Sequence, residues 1–305
     1  MKSRQLKAVG VPIDCLAFEG PLQAVERMPQ SLRHAGLLQI MGCPDLGDLD
    51  VRISDRKRDP ETGVIGLDDC RRVTATLRKE TARLLAEGVR PFFVGGCCAM
   101  SIGIAAGMRD HFGEAALVYV DGHLDLYDGP TSWQGEIADM PMAIMLGRGP
   151  ASAMRGAMGS NPVSPQHAFI VGYRDREEAM GRGSLMPEDI SADLNHLSLE
   201  HIRTEGFDVV GKRLRRQIED RNIPFYMHLD LDVLDETVFP ATLYHLPNGM
   251  NWTELGDLLA PLVASPKLAA VSVGCYDPDM DTGERLARDI AHHVGTIFAV
   301  EQTVA

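Results

Sequence analysis

Two apolar, strand-like runs of this chain each end in an acidic motif. Ala-Leu-Val-Tyr-Val leads into Asp-Gly-His-Leu-Asp at 121–125, and Pro-Phe-Tyr-Met-His-Leu leads into Asp-Leu-Asp at 230–232. Side chains two positions apart in a strand point to the same side, so each motif should present its acidic side chains together. Four carboxylates cannot share an enclosed site unless positive charge neutralises them. The pair of motifs therefore predicts a site for two divalent metal ions.

Apolar strand-like runs alternate with helical patterns along the 305 residues, which favours an α/β fold with a parallel sheet covered on both faces. Such folds bind ligands at the carboxyl ends of strands. We predict strands at 7–12, 91–95, 115–121, 167–172, 224–230 and 268–274, and helices at 67–87, 99–109, 140–146, 208–219, 252–262 and 284–293.

Two stretches are predicted to be irregular. Residues 42–63 are charged and contain Pro and Gly, so they are expected to form a surface loop. Residues 127–138 form a long loop directly after the first acidic motif, where a loop would build one wall of the site.

Composition excludes several classes of function. The formal net charge of −13 argues against nucleic-acid binding, which needs a basic face. No apolar run approaches the roughly 20 residues of a membrane span, and no signal-peptide pattern follows the N-terminus, so we expect a cytoplasmic protein without a membrane partner. The six cysteines form no CxxC pair and are expected to be reduced thiols, with Cys97 a bystander.

Several motifs, in this order, resemble the ureohydrolase superfamily of arginase, agmatinase and formiminoglutamase. Gly-Gly-Cys-Cys-Ala at 95–99 stands for the family's Gly-Gly-Asp-His-Ser, and Asp-Gly-His-Leu-Asp at 121–125 for its Asp-Ala-His-x-Asp. Asp-Leu-Asp-Val-Leu-Asp at 230–235 stands for its Asp-x-Asp-x-x-Asp and is followed by Pro-Ala-Thr. The resemblance extends over nearly the whole chain, which we interpret as a single domain, 1–305.

The resemblance implies a three-layer α/β/α fold with a mostly parallel central sheet. It also implies a binuclear centre, usually of two Mn²⁺ ions, whose bridging hydroxide attacks a guanidine or amidine carbon and so hydrolyses a C–N bond. The implied metal ligands are Cys98, Asp121, His123, Asp125, Asp230 and Asp232. The implied partners are a small guanidino or amidino substrate and further copies of the chain, because the family commonly forms trimers or hexamers.

Cys98 occupies the position of the family's first histidine ligand, as it does in the related N-hydroxyarginine hydrolases. A thiolate is softer than imidazole and changes the formal charge of the site from about zero to about −1, which shifts preference toward Zn²⁺ or Fe²⁺ on that side. Alternatively, Cys98 is a small buried residue and one metal is weak or absent.

Two further positions depart from the family pattern. Ala138 stands where arginases carry a catalytic histidine, and Cys275 stands where the family has the glutamate that holds the guanidinium. Losing that carboxylate removes a charged hydrogen bond of roughly 1.5–3 kcal/mol, so a less basic group than arginine, such as an N-hydroxyguanidine, fits better.

The candidate residues around the metals fall into two groups. The catalytic candidates are Asp125 and the three side chains that are possible replacements for the missing histidine, namely Glu136, Asp139 and His245. The substrate-binding candidates are Trp133, Glu136 and Cys275. His228, two residues before Asp230, shares its strand face and is interpreted as a core residue with an outer-shell role as the alternative.

Two other interpretations compete with a metallohydrolase. A catalytically inactive homologue that acts as a binding or assembly subunit would explain the three departures, but it gives no reason to retain mutually repelling carboxylates. A Mg²⁺–phosphate site of a transferase is disfavoured because the sequence has no Gly-rich phosphate loop.

Overall fold

The computed structural model describes residues 5–15 and 24–299. Its strands are β1 Gln5–Gly10, β2 Asp45–Asp48, β3 Val89–Val94, β4 Ala116–Val120, β5 Ala168–Val171, β6 Asn195–Leu197, β7 Phe225–Asp230 and β8 Leu268–Gly274. Its α-helices are α1 Met28–His34, α2 Leu37–Met41, α3 Leu67–Ala86, α4 Met100–Phe112, α5 Pro141–Met145, α6 Ala151–Met158, α7 Arg176–Gly181, α8 Pro187–Ile190, α9 Leu199–Glu205, α10 Phe207–Asp220, α11 Trp252–Val263 and α12 Arg285–Ala299.

The eight strands form one sheet in the order β2-β1-β3-β8-β7-β4-β5-β6, and every pairing is parallel. In a parallel sheet all carboxyl ends lie along the same edge. The four central strands end almost level: Val94 pairs with Val273, Asp230 with Gly274, and Val120 with Leu229. Side chains that follow these strands therefore meet above the centre of the sheet.

Helices cover both faces of the sheet, which confirms the predicted α/β architecture. Successive strand residues alternate between two buried apolar clusters, so Phe93 belongs to one and Phe92 to the other. The first cluster includes residues of α3, α4 and α6, and the second residues of α10, α11 and α12. Since the central strands β3, β4, β7 and β8 are buried on both faces, their sequences are largely apolar runs.

All six predicted strands and all six predicted helices are present, with ends shifted by a few residues. The expectation that 42–63 is entirely loop was wrong, because the exposed edge strand β2 lies within it. The other edge strand, β6, was missed, as were α1, α2 and α6 to α9. Among the helices of the described residues, none combines the length and apolarity that crossing a bilayer requires.

The expectation that Cys97 is a reduced bystander was wrong, because a disulfide joins it to Cys15 with Cα atoms 6.4 Å apart. Strand β1 precedes Cys15 and β3 precedes Cys97, and these strands are neighbours in the sheet. Their carboxyl ends bring together two cysteines that are 82 residues apart in sequence. The other four cysteines, Cys43, Cys70, Cys98 and Cys275, are free and buried.

Candidate metal centre and pocket

Four neighbouring strands each deliver acidic or thiol side chains to one point. Cys98 follows β3, Asp121 follows β4, Asp230 ends β7 and Cys275 follows β8. All four residues are at most 5% exposed. Gly96 makes the approach of Cys98 possible: its φ is +73°, and a Cβ there would lie 2.5 Å from the Ile13 side chain.

One group of donors forms around Cys98. The ligand atoms of Cys98, Asp121, His228 and Asp230 all lie within 4.8 Å of one another, and all four residues are buried. The thiol of Cys98 donates to the carboxylate of Asp230, lies 3.8 Å from Oδ2 of Asp121, and lies 3.4 Å from the sulfur of Cys275. We call this group the thiol half-site.

A second group, formed by Asp121, His123 and Asp232, again has its ligand atoms within 4.8 Å of one another. Nδ1 of His123 lies 3.0 Å from Oδ2 of Asp232, and its backbone amide donates to Asp121 at 2.7 Å. The Gly122 amide donates to Asp232 at 3.0 Å. We call this group the histidine half-site; it shares Asp121 with the thiol half-site.

Burial disfavours the ionised forms of the carboxylates in the two half-sites, and neighbouring negative charges add to this effect. Burial and the charge of Asp232 raise the pKa of Asp121 to about 7. Burial and the neighbouring carboxylates raise the pKa of Asp230 well above its ordinary value. Burial acts the same way on Asp232, but the charge of His123 holds the pKa of Asp232 below its usual value. The protein alone therefore neutralises the histidine half-site better than the thiol half-site.

Asp125 lies beside these groups but in neither of them. Strand β4 ends at Val120, so the expected strand alternation does not extend through 121–125. Asp125 has φ 51°, and its Oδ2 accepts a hydrogen bond from the hydroxyl of Tyr119 at 2.5 Å. It still reaches the pocket, where burial and Asp121 raise its pKa well above the ordinary range.

Above the two half-sites lies a cavity of about 100 Å³ that opens to solvent. Its lining carries seven carboxylates together with Arg182 and His123, so its field attracts cations. The predicted loop 127–138 does supply one wall, through Trp133, Glu136 and Ala138, and Asp139 directly after it continues that wall.

The candidate residues of this loop differ in exposure. Trp133 is 75% exposed at the mouth, with the Arg182 guanidinium 5.9 Å from its ring centre. Glu136 is 3% exposed and accepts a hydrogen bond from Tyr244 at 2.7 Å. Asp139 accepts one from Ser132 at 2.7 Å, and burial raises the pKa of Asp139 to about 7. Its other oxygen is buried without a hydrogen-bond partner among the described residues.

His245, the remaining catalytic candidate, lies outside the pocket. Its side chain is exposed, its Nε2 lies 2.8 Å from the carbonyl of Pro240, and the residue is outside the cavity lining. Cys275, by contrast, lines the cavity floor beside Cys98.

Sequence reasoning missed three residues that shape the pocket. Asp175 is 4% exposed and accepts a hydrogen bond from the amide of Leu124. The hydroxyl of Tyr244 lies 2.7 Å from a carboxylate oxygen of Glu136 and so holds this side chain. Arg174 donates to the carbonyls of Asp232, Leu234 and Leu246, and so fixes the loop after β7. A single arginine or tyrosine in a loop carries no spacing signal by which to find it.

Comparison with known proteins gives this fold and donor set a context. The sequence model of the arginase family matches residues 6–299. The chain belongs to the arginase family. Arginase of Staphylococcus aureus (strain MRSA252) is 24% identical over 305 residues, which cover 97% of this chain and 98% of that protein.

Solved structures of the arginase family share the fold. The structure of the arginase of Bacillus caldovelox superposes with a TM-score of 0.82 at 20% identity, covering 97% of this chain and 98% of that one. Proclavaminate amidino hydrolase of Streptomyces clavuligerus superposes with a TM-score of 0.69 at 18% identity, covering 98% and 91%.

Arginase-family proteins bind a binuclear metal centre, and the residues present here fit one. Two donor groups share one carboxylate, Asp121, so this side chain could contribute to holding an ion in each group. Carboxylates with raised pKa values lack the positive charge that would stabilise their ionised forms. Imidazole, carboxylate and thiolate are all ligands of divalent first-row metals.

Proposed function

We propose that this protein is a binuclear-metal hydrolase of C–N bonds in a guanidino or amidino compound, with a modified guanidine such as N-hydroxyarginine preferred over arginine. The observation that carries the proposal is Asp121, which belongs to both donor groups at the floor of an acidic cavity. When bound, two divalent cations supply a nucleophilic hydroxide at neutral pH and charge stabilisation for the transition state.

The walls of the cavity suit a cationic or polarised planar group. Glu136 is oriented by Tyr244 and can accept hydrogen bonds from substrate N–H groups. Asp139 keeps one buried oxygen free and holds a proton up to about pH 7, so it can receive and return a proton where Ala138 cannot.

Cys275 supports the substrate preference. Its side chain is 5% exposed and lies against Cys98, so at the cavity floor a thiol stands where a carboxylate would hold a guanidinium. A fully charged guanidinium therefore finds a weaker partner there. A less basic group loses less binding energy when a thiol replaces the carboxylate.

The remaining expectations stay predictions: Mn²⁺ as the physiological metal, a homo-oligomer (trimer or hexamer), and the cytoplasm as compartment. An inactive homologue that serves as a binding subunit is the competing proposal. It predicts metal binding without turnover.

The test is metal analysis of protein produced with Mn²⁺, followed by a substrate panel. The panel contains arginine, N-hydroxyarginine, agmatine, guanidinobutyrate and formiminoglutamate, and the readouts are urea, hydroxyurea, formamide and ammonia. We expect two metals per chain and the highest kcat/KM for the N-hydroxyguanidine. Two metals with no turnover of any compound would favour the binding subunit.

A further inference from the structure

His228 is a fully buried histidine near the carboxyl end of the central strand β7, beside the candidate metal centre. It lies on β7, and its neighbours in register are Tyr119 on β4 and Ser272 on β8. Its ring stacks on Tyr119 with centroids 4.7 Å apart, and its Nδ1 lies 2.6 Å from Oγ of Ser272. Both contacts fix the orientation of the imidazole.

One ring nitrogen of His228 belongs to the thiol half-site, and because Nδ1 is already paired with Ser272, Nε2 is the nitrogen left for a ligand. Nε2 of His228 has no hydrogen-bond partner within residues 5–15 and 24–299. Buried polar atoms are almost always paired, so an orphan at such a place needs an explanation. The surrounding ligand atoms, within 4.8 Å, belong to Cys98, Asp121 and Asp230. A proton on Nε2 would be expected to bond to one of these carboxylates, yet no such bond is formed.

We infer that His228 is a metal ligand of the thiol half-site, an assignment that rests on the proposed binuclear centre. In this assignment Nδ1 carries the ring proton and donates it to Oγ of Ser272, which lies 2.5 Å from the hydroxyl of Tyr226. This hydrogen bond fixes the tautomer and leaves the lone pair on Nε2 directed at the metal, which is the usual arrangement of a ligating histidine.

The imidazole donor therefore comes from a different element of the fold than the family pattern predicts. Cys98 occupies the turn after β3, where the family pattern places an imidazole, and the imidazole comes instead from β7. The thiol half-site then offers one thiolate, one imidazole and two carboxylates. A mixed sulfur, nitrogen and oxygen set favours Zn²⁺, Fe²⁺ or Co²⁺ more than an all-oxygen and imidazole set does.

Co²⁺ titration of the full-length protein tests the assignment without substrate. His228→Phe keeps an aromatic ring against Tyr119 and removes Nε2. We expect binding of the second Co²⁺ to weaken at least about tenfold and the absorption of the thiolate-bound Co²⁺ to shift. The matched control, Tyr173→Phe, removes a hydroxyl that lies 2.9 Å from Nδ1 of another histidine, His196, and should still bind two ions. Unchanged affinity and an unchanged spectrum in His228→Phe would overturn the inference.

Two further measurements separate ligation from packing. If His228 only packs, His228→Phe lowers Tm equally with and without Co²⁺; if it ligates, the Co²⁺-induced rise in Tm shrinks. In the wild type, X-ray absorption of the Co²⁺-loaded protein should count two imidazoles for two metals, and a count of one would contradict the assignment. These measurements use no substrate, so the ligand assignment and the proposed function can fail separately. A protein that passes these tests but hydrolyses no guanidine would contradict the proposed function and leave the ligand assignment intact.

Discussion

The histidine half-site and the thiol half-site differ in how far the protein neutralises its own charges. In the histidine half-site, His123 and Asp232 form a hydrogen-bonded pair, and the pKa of Asp232 lies below its usual value. In the thiol half-site, burial and neighbouring carboxylates raise the pKa of Asp230, and burial raises that of Cys98. The histidine half-site is therefore neutralised largely by its own side chains. In the thiol half-site, a bound cation would be needed to stabilise the ionised forms of the carboxylates and the thiol.

This difference indicates on which side of the centre the donor set has more freedom to vary. A self-compensated pair fixes the geometry on one side and holds Asp121 in place through the amide of His123. The other side can then exchange one donor for another as long as its total charge still matches a cation. The departures at Cys98 and Cys275 both lie on that side.

The largest effect is expected where the half-sites join. Asp121→Asn weakens both metals at once, so we expect kcat/KM to fall roughly a thousandfold, the equivalent of several kcal/mol of charge stabilisation. Metal analysis and kinetics with the best panel substrate measure it. Asp279→Asn, at an exposed carboxylate, is the control. A variant of Asp121 that kept two metals would contradict the shared role.

Asp139 tests whether the proton function lies beside the histidine half-site. As a base it must be ionised, and its pKa of about 7 in the metal-free protein falls when cations bind nearby. We therefore expect kcat/KM to drop below a pKa at or under about 7. Asp139→Asn should lower kcat roughly a hundredfold and remove that limb of the pH profile. An unchanged profile would exclude Asp139 as the base.

Much of this architecture follows from sequence because the central strands are buried on both faces. β3, β4, β7 and β8 are long apolar runs, and their ends locate the donors. The edge strands β2 and β6 give no such signal: β2 reads Asp-Leu-Gly-Asp and is largely exposed, and β6 has three half-buried residues. Exposure removes the hydrophobic pattern on which such predictions depend.

The orientation of side chains beyond the strand ends could not be predicted in the same way. Strand alternation grouped Asp125 with Asp121, but β4 had already ended, and Asp125 turned to Tyr119 instead. Alternation did place His228 on the face of Asp230, but only the pairing of β7 with β8 showed that Ser272 holds it. The disulfide of Cys15 required the pairing of β1 with β3.

Removing the metals should expose the difference between the half-sites as a stability effect. Asp121 and Asp230 have raised folded pKa values, so above the unfolded value of about 4 the unfolded state releases protons that the folded state retains. The stability of the chelated protein should fall as pH rises from about 4 through about 7.

Calorimetry with and without chelator measures this effect. Two ions at about a hundredfold excess over Kd each contribute about 2.7 kcal/mol, so Tm should fall by several degrees on chelation, more at pH 8 than at pH 5. Asp121→Asn should reduce the pH dependence of the chelated protein. A chelated protein whose Tm rises from pH 5 to pH 8 would contradict the assignment of unneutralised carboxylates.

The smallest expected effect concerns the pocket wall beside the histidine half-site. The Tyr244 hydroxyl lies 2.6 Å from Oε1 of Gln134 and 2.7 Å from Oε2 of Glu136, so its one proton is directed at this pair of acceptors, and its ring lies 6.5 Å from that of His123. Tyr244→Phe removes one hydrogen bond to a charged group, worth about 1.5–3 kcal/mol at most. If Glu136 holds the substrate, KM should rise about threefold to tenfold with kcat nearly unchanged.

A double-mutant cycle makes this prediction specific. Because Tyr244 is expected to act through Glu136, adding Tyr244→Phe to Glu136→Ala should change KM no further. Tyr127→Phe, another tyrosine of the cavity lining, is the matched control and should leave KM nearly as in the wild type. Additive effects of the Tyr244 and Glu136 changes would mean that the tyrosine contacts the substrate directly. The wall would then recognise substrate through a hydroxyl as well as a carboxylate.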